Sequence, residues 1–136
     1  LSYVSVASKN ISDNVFRLHV LANSDSEEDQ NLKYLVRDAL INYMNTLSTN
    51  ITSKETAIYL AQNHQQEFYD IAKKIIIDNG YNYDVKITIG NTYFPTKYYG
   101  DVTLPAGNYD ALRVGIVVSI LATAIIGFWS VLGVIL

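Results

Sequence analysis

The chain reads as an α+β domain: two helices packed on one face of a small mixed β-sheet, with elements in the order β-α-α-β-β-β. Three observations point there. Two long stretches carry apolar residues at steps of three and four, which marks amphipathic helices. Short runs before and after them alternate apolar with polar, which marks half-buried strands. The two helical stretches follow one another without a strand between them, so they can cover one side of a sheet together.

The elements follow in order. Leu1 to Ala7 is mostly apolar and ends in Ser5-Val6-Ala7, so residues 1–14 are read as a leader or signal-peptide remnant. From Val15 to Ala22, Phe16, Leu18 and Val20 face one way and Arg17, His19 and Leu21 the other, as in a half-buried strand. Asn23-Ser24 breaks the strand. Ser24 and Glu27 have capping-box spacing, and Asp25, Glu27, Glu28 and Asp29 place negative charge at the positive end of a helix dipole. The helix that follows carries the stripe Leu32, Leu35, Val36, Ala39, Leu40, Tyr43, Met44 and Leu47, with Lys33, Arg37 and Asp38 outside it.

Residues 49–53 form a polar connection, and Thr52 with Glu55 repeats the capping-box spacing. A second helix is expected from Lys54 to Asp78, with Ala57, Ala61, His64, Phe68, Ile71, Ala72 and Ile75 facing inward. Asn79-Gly80 stops it, Gly suiting the left-handed position after a helix end. Val85 to Ile89 alternates as a strand and Gly90-Asn91 is a turn candidate. Thr92 to Tyr99 suits a further strand, although Pro95 removes a ladder donor and forces an edge or bulge. Gly100-Asp101 and Pro105 to Asn108 are turns, and a last strand begins at Tyr109.

Composition narrows the function. The chain has 136 residues and a formal charge of −3, with no cysteine. One domain of this size buries roughly two thirds of its unfolded surface. An acidic balance without a basic stripe argues against nucleic acid as a partner. Without cysteine there is no disulfide framework, thiolate metal site or cysteine nucleophile. Every Lys, Arg, Asp and Glu lies at or before Arg113; Val114 to Leu136 carries no charge. The body is thus residues 15–113 and the apolar tail residues 114–136, read either as the final strand or as a transmembrane helix, since about 20 apolar residues span a bilayer core.

No constellation points to catalysis, and none to a cofactor or metal. His19 is the best lone candidate for a general base, but a His in an alternating strand is more often structural and hydrogen-bonded through its ring. A hydrolase would have to pair it with a carboxylate such as Asp25, and no nucleophile supports the pair. His64, on the helical stripe, is read as a half-buried core residue. Tyr93, Phe94, Tyr98, Tyr99 and Tyr109 crowd the last third, where aromatics serve either a binding surface or strand packing.

Several blocks carry a family resemblance: Arg17 to Asp25 (Arg-Leu-His-Val-Leu-Ala-Asn-Ser-Asp), Glu28-Asp29-Gln30, Val36 to Ala39, Phe94-Pro95-Thr96-Lys97 with Tyr99-Gly100, and Pro105-Ala106-Gly107 with Ala111 to Val114. In this order and spacing they resemble stage II sporulation protein R, from about Phe16 to Val114. The resemblance implies a non-enzymatic signal made in the forespore and exported into the space between forespore and mother cell. There it would trigger a membrane-embedded aspartic protease of the mother cell, which removes the pro-sequence of sigma E. Partner contact is expected at the motif positions Arg17, His19, Asn23, Ser24, Asp25, Phe94, Pro95, Thr96, Lys97 and Tyr99, with Lys97 the most exposed. The family usually continues into a Gly-rich stretch, Trp-Trp-Cys, Pro-Pro and a second Cys. Here Phe128-Trp129-Ser130-Val131-Leu132 falls where that piece belongs, without the cysteines or prolines. The alternative is a membrane-anchored, non-catalytic binding or structural module whose tail is the functional part.

Overall fold

The computed structural model describes residues 11–47 and 53–119. Its elements are β1 (Phe16–Leu21), α1 (Glu27–Leu47), α2 (Lys54–Asn63), α3 (Gln65–Asp78), β2 (Asp84–Phe94), β3 (Lys97–Tyr99), β4 (Val102–Leu104) and β5 (Gly107–Val117). A helical turn at residues 11–14 precedes β1. The main sheet has the order β1-β5-β2, and β3 and β4 form a separate two-stranded ribbon. β5 is the centre: it runs parallel to β1, with Arg17 opposite Ala111 and His19 opposite Arg113, and antiparallel to all of β2. The α+β class and mixed sheet are those the sequence predicts.

β5 takes the centre because it is the strand that can bury both faces. Leu112, Val114 and Ile116 point to the helices and join Val85, Leu32, Val36, Leu40, Ala61, Phe68, Ala72 and Ile76 in the main core. Tyr109 and Ala111 point the other way and form a smaller cluster with Phe94, packed by Ile11 and Val15. Phe16, Leu18 and Val20 contribute to the main core, as the alternation of β1 predicts. An ion pair of 2.8 Å between Lys54 and Asp110 ties α2 to β5.

Six expectations change. The first helix begins at Glu27 with Ser26, not Ser24, as its cap: the Ser26 Oγ accepts from the Asp29 amide at 3.2 Å. Within it Leu35 is exposed rather than core. The second helix is capped by Ser53, whose side chain accepts from the Thr56 amide; Thr52 lies outside the described residues. It is also two helices, broken at His64 (φ −122°, ψ 24°). The His64 ring Nδ1 sits 2.7 Å from the Leu60 carbonyl, and a carbonyl can only accept, so this nitrogen carries the proton. The ring thereby takes the acceptor that the His64 amide would use in a continuous helix, and that amide bonds Ala61 instead.

The other two changes concern strands. Gly90-Asn91 is not a turn: both residues lie inside β2, opposite Ala111 and Asp110. β5 is long enough to pair across them, which overrides the local turn preference. β2 ends at Phe94, before Pro95, and the chain continues as the ribbon, which turns at Gly100 with φ 58°. Val114 to Val117 belong to β5, and residues 120–136 lie outside the described residues. No described helix is long and apolar enough to cross a membrane.

Candidate functional site: a cationic cleft at the sheet edge

β1 lies at one edge of the sheet, and among the described residues no strand pairs with its outer side. Arg17 and His19 leave its face opposite the main core. Arg17 is 93% buried, at 7% relative exposure. Its guanidinium carbon sits 4.0 Å from the centre of the Phe94 ring and 4.7 Å from that of Tyr109, so two aromatic faces cover the cation. Phe94 and Tyr109 meet edge to face, and the Tyr109 hydroxyl donates to the Pro105 carbonyl at 2.6 Å. Arg17 Nη2 donates to the Tyr99 hydroxyl at 3.2 Å, which ties β1 to the ribbon across 82 positions of sequence. Its Nη1 is buried and has no hydrogen-bond partner among the described residues.

His19 packs its ring on Phe94 at 4.9 Å, and its buried Nδ1 has no hydrogen-bond partner. The expected ring hydrogen bond is therefore replaced by ring packing. No hydrogen bond joins His19 to Asp25, which is exposed in the turn beyond β1. Burial chiefly, and then the charges of Arg113, Arg17 and Lys33, lower the His19 pKa from its ordinary 6.5. The fold thus favours neutral imidazole. Just below pH 6.5 the unfolded chain binds more protons than the folded one. Stability is full above that value and should fall as pH drops from it through the lowered folded pKa. Urea midpoints measured between about pH 7.5 and 5 should show this decline, and His19→Gln should flatten it. An unchanged slope in the variant would assign the decline to another group.

The cleft beside β1 has a volume of about 320 Å³ and three walls. Arg17, Leu18, His19 and Val20 form one; Lys33, Tyr34 and Arg37 of α1 form the second; Phe94, Pro95, Lys97 and Tyr99 form the third. No carboxylate lines it. Lys33 and Arg37 flank the Tyr34 ring at 4.6 and 4.8 Å. Lys33 also donates to Gln30, and Arg37 pairs with the exposed Asp38 at 2.9 Å.

Six of the ten candidate residues therefore converge here: Arg17, His19, Phe94, Pro95, Lys97 and Tyr99. Thr96 does not line the cleft; its hydroxyl accepts from the Ala106 amide and pins the base of the ribbon. Asn23, Ser24 and Asp25 stand at the far end of β1. There Ser24 donates to the buried Asp29 at 2.5 Å, and Tyr83, just before β2, donates to the same carboxylate at 2.8 Å. These bonds, led by that of Ser24, hold the Asp29 pKa below the usual carboxylate value. Asn23 also borders a shallow depression of about 390 Å³ with Lys86, Thr88 and Arg113. The sequence reading missed Lys33, Tyr34 and Arg37 as site residues. The available signal was a basic pair one turn apart with an aromatic between, on the face left out of the apolar stripe.

The family model of stage II sporulation protein R (spore_II_R) matches residues 12–132. The chain belongs to the stage II sporulation protein R family. Stage II sporulation protein R of Bacillus subtilis (strain 168) is 38% identical to it over 104 residues, covering 76% of this chain and 46% of that protein. The chain thus spans about half the length of the curated relative it matches. No solved structure gives a significant match. Membership of the stage II sporulation protein R family places the chain in sporulation. The family match runs past Val114 and takes in most of the uncharged tail, so that tail departs in composition from the expected pattern while staying within the family's span.

Proposed function

We propose that this protein is a sporulation signal exported from the forespore into the space between forespore and mother cell, where it activates a membrane-embedded aspartic protease by contact, leading to processing of pro-sigma E. It acts as a ligand and performs no bond chemistry. The observation that supports this reading most is that parts of two distant family motifs, Arg17 and His19 of the first and Phe94, Pro95, Lys97 and Tyr99 of the second, meet in one cationic cleft. Arg and aromatic side chains grouped in this way are typical of residues that dominate protein contacts. The test is expression of the chain, behind a secretion signal, in the forespore of a Bacillus subtilis strain lacking its own stage II sporulation protein R. Restored pro-sigma E processing supports the reading; a folded, exported protein without processing rejects it.

Lys97 gives the sharpest point variant. It is exposed and makes no ion pair among the described residues, so the fold does not need it. Lys97→Glu should lower processing by about tenfold, as expected for a contact residue, with an unchanged melting temperature. Native processing in this variant would remove Lys97 from the contact surface.

A second reading, a membrane-anchored non-catalytic module, draws on the tail. With β5 ending at Val117, the uncharged residues that remain, Val118 to Leu136, are near the short end of what spans a bilayer. Retention in membranes after alkaline washing would favour it.

A further inference from the structure

We infer that the outer edge of β1 receives an extended, acidic segment of a protein partner by strand addition, with Arg17, Lys33, Arg37 and Lys97 receiving its carboxylates. An edge strand directs alternate backbone N–H and C=O groups away from its neighbour, and these are a template for another chain. Proteins usually blunt such an edge with proline, a bulge or a cover. β1 has no proline and pairs with β5 in continuous register, and among the described residues its outer side borders an open cleft rather than a packed element.

The charge of the cleft selects the occupant. A strand laid along β1 would turn one face toward Arg17 and Lys97 and the other toward Lys33 and Arg37, so neighbouring carboxylates on both of its faces meet cations. This arrangement is local, since the chain as a whole carries −3. Arg17 adds a second, independent pointer. It is more than nine-tenths buried, lines the cleft, and keeps one guanidinium nitrogen without a hydrogen-bond partner among the described residues. A buried cation with an incomplete hydrogen-bond set is costly, and a carboxylate in the cleft beside the guanidinium offsets that cost through its charge. Tyr34, Phe94 and Tyr99 offer apolar contact to the side chains between the carboxylates. A phosphate or a lipid headgroup would satisfy the cations but leave the strand edge unpaired; a peptide satisfies both. The length of β1, six residues, sets the paired segment at about 20 Å. The inference does not rest on the identity of the protein that carries the segment, so it stands or falls separately from pro-sigma E processing.

The experiment uses the full chain, labelled with nitrogen-15, and a blocked peptide about eight residues long with a central Glu-Asp pair flanked by Val and Thr. Saturable binding is expected, with the largest amide shifts on β1 residues 16–21. Methylating alternate backbone nitrogens of the peptide should weaken binding by about tenfold, and so should replacing Glu-Asp by Lys-Lys. The double variant Lys33→Gln with Arg37→Gln should weaken it similarly without lowering the melting temperature. Equal binding of the methylated peptide, shifts centred away from β1, or no saturation by about 5 mM would each overturn the inference. So would vesicles of anionic phosphatidylglycerol moving the same amides when the peptide does not.

Discussion

Phe68→Ala should destabilise the fold by about 3–5 kcal/mol, which is a large share of the roughly 5–15 kcal/mol typical of a small domain. Phe68 is 2% exposed and opens α3 just after the break at His64. Its ring meets Tyr43 of α1 edge to face at 5.2 Å, so it joins the two sides of the helical layer. It also borders a half-open pocket of about 40 Å³ shared with Phe16, Met44, Leu47, Ala57, Leu60 and Ala61. Truncation would extend that pocket by the lost ring volume, and the cost of a core truncation rises with the cavity left behind. The loss should appear as a lower urea midpoint with unchanged slope. Phe68→Met, which refills much of the space with a flexible side chain, should recover much of it. A loss below about 1 kcal/mol for the Ala variant would mean that the helices close over the site, contrary to the packing described here.

Phe68 also shows how far the sequence could be read. Its place on the inner face followed from helical periodicity, as did those of Leu32, Val36, Leu40, Ala61 and Ala72, because burial of a stripe is a local, periodic requirement. The alternation of β1 correctly separated Phe16, Leu18 and Val20 from Arg17 and His19 for the same reason. Competition between close alternatives was not legible. Ser24 and Ser26 both suit a cap; the fold assigns Ser26 to the helix and Ser24 to Asp29. The His64 break depends on a side chain taking one carbonyl, and continuity through Gly90-Asn91 depends on a partner strand distant in sequence. The cleft is the extreme case. Motif residues from β1 and from the β2–β3 region were singled out, but their meeting with Lys33, Tyr34 and Arg37 is a property of topology, and no spacing within one segment encodes it.

Arg17 separates support of the fold from recognition, because two substitutions at this position should behave differently. Arg17→Ala should cost about 2–3 kcal/mol, since it removes the cover over Phe94 and Tyr109, the bond to Tyr99 and the packed aliphatic stem together. Arg17→Met keeps an unbranched apolar side chain against both rings and removes a buried charge that is only partly hydrogen-bonded. Replacing such a charge by a well-packed apolar group is often neutral, so the Met variant should stay within about 1 kcal/mol of the native chain. Urea denaturation of the two variants checks this ordering. In the forespore assay both should lose pro-sigma E processing by about tenfold or more, although only one is unstable, because both lack the guanidinium that would meet a partner carboxylate. The Met variant is decisive. If it folds as well as the native chain and still signals fully, Arg17 is a strut between β1 and the ribbon, and recognition rests on Lys33, Arg37 and Lys97. If it folds and is silent, the guanidinium of Arg17 at the cleft wall is where the signal is read.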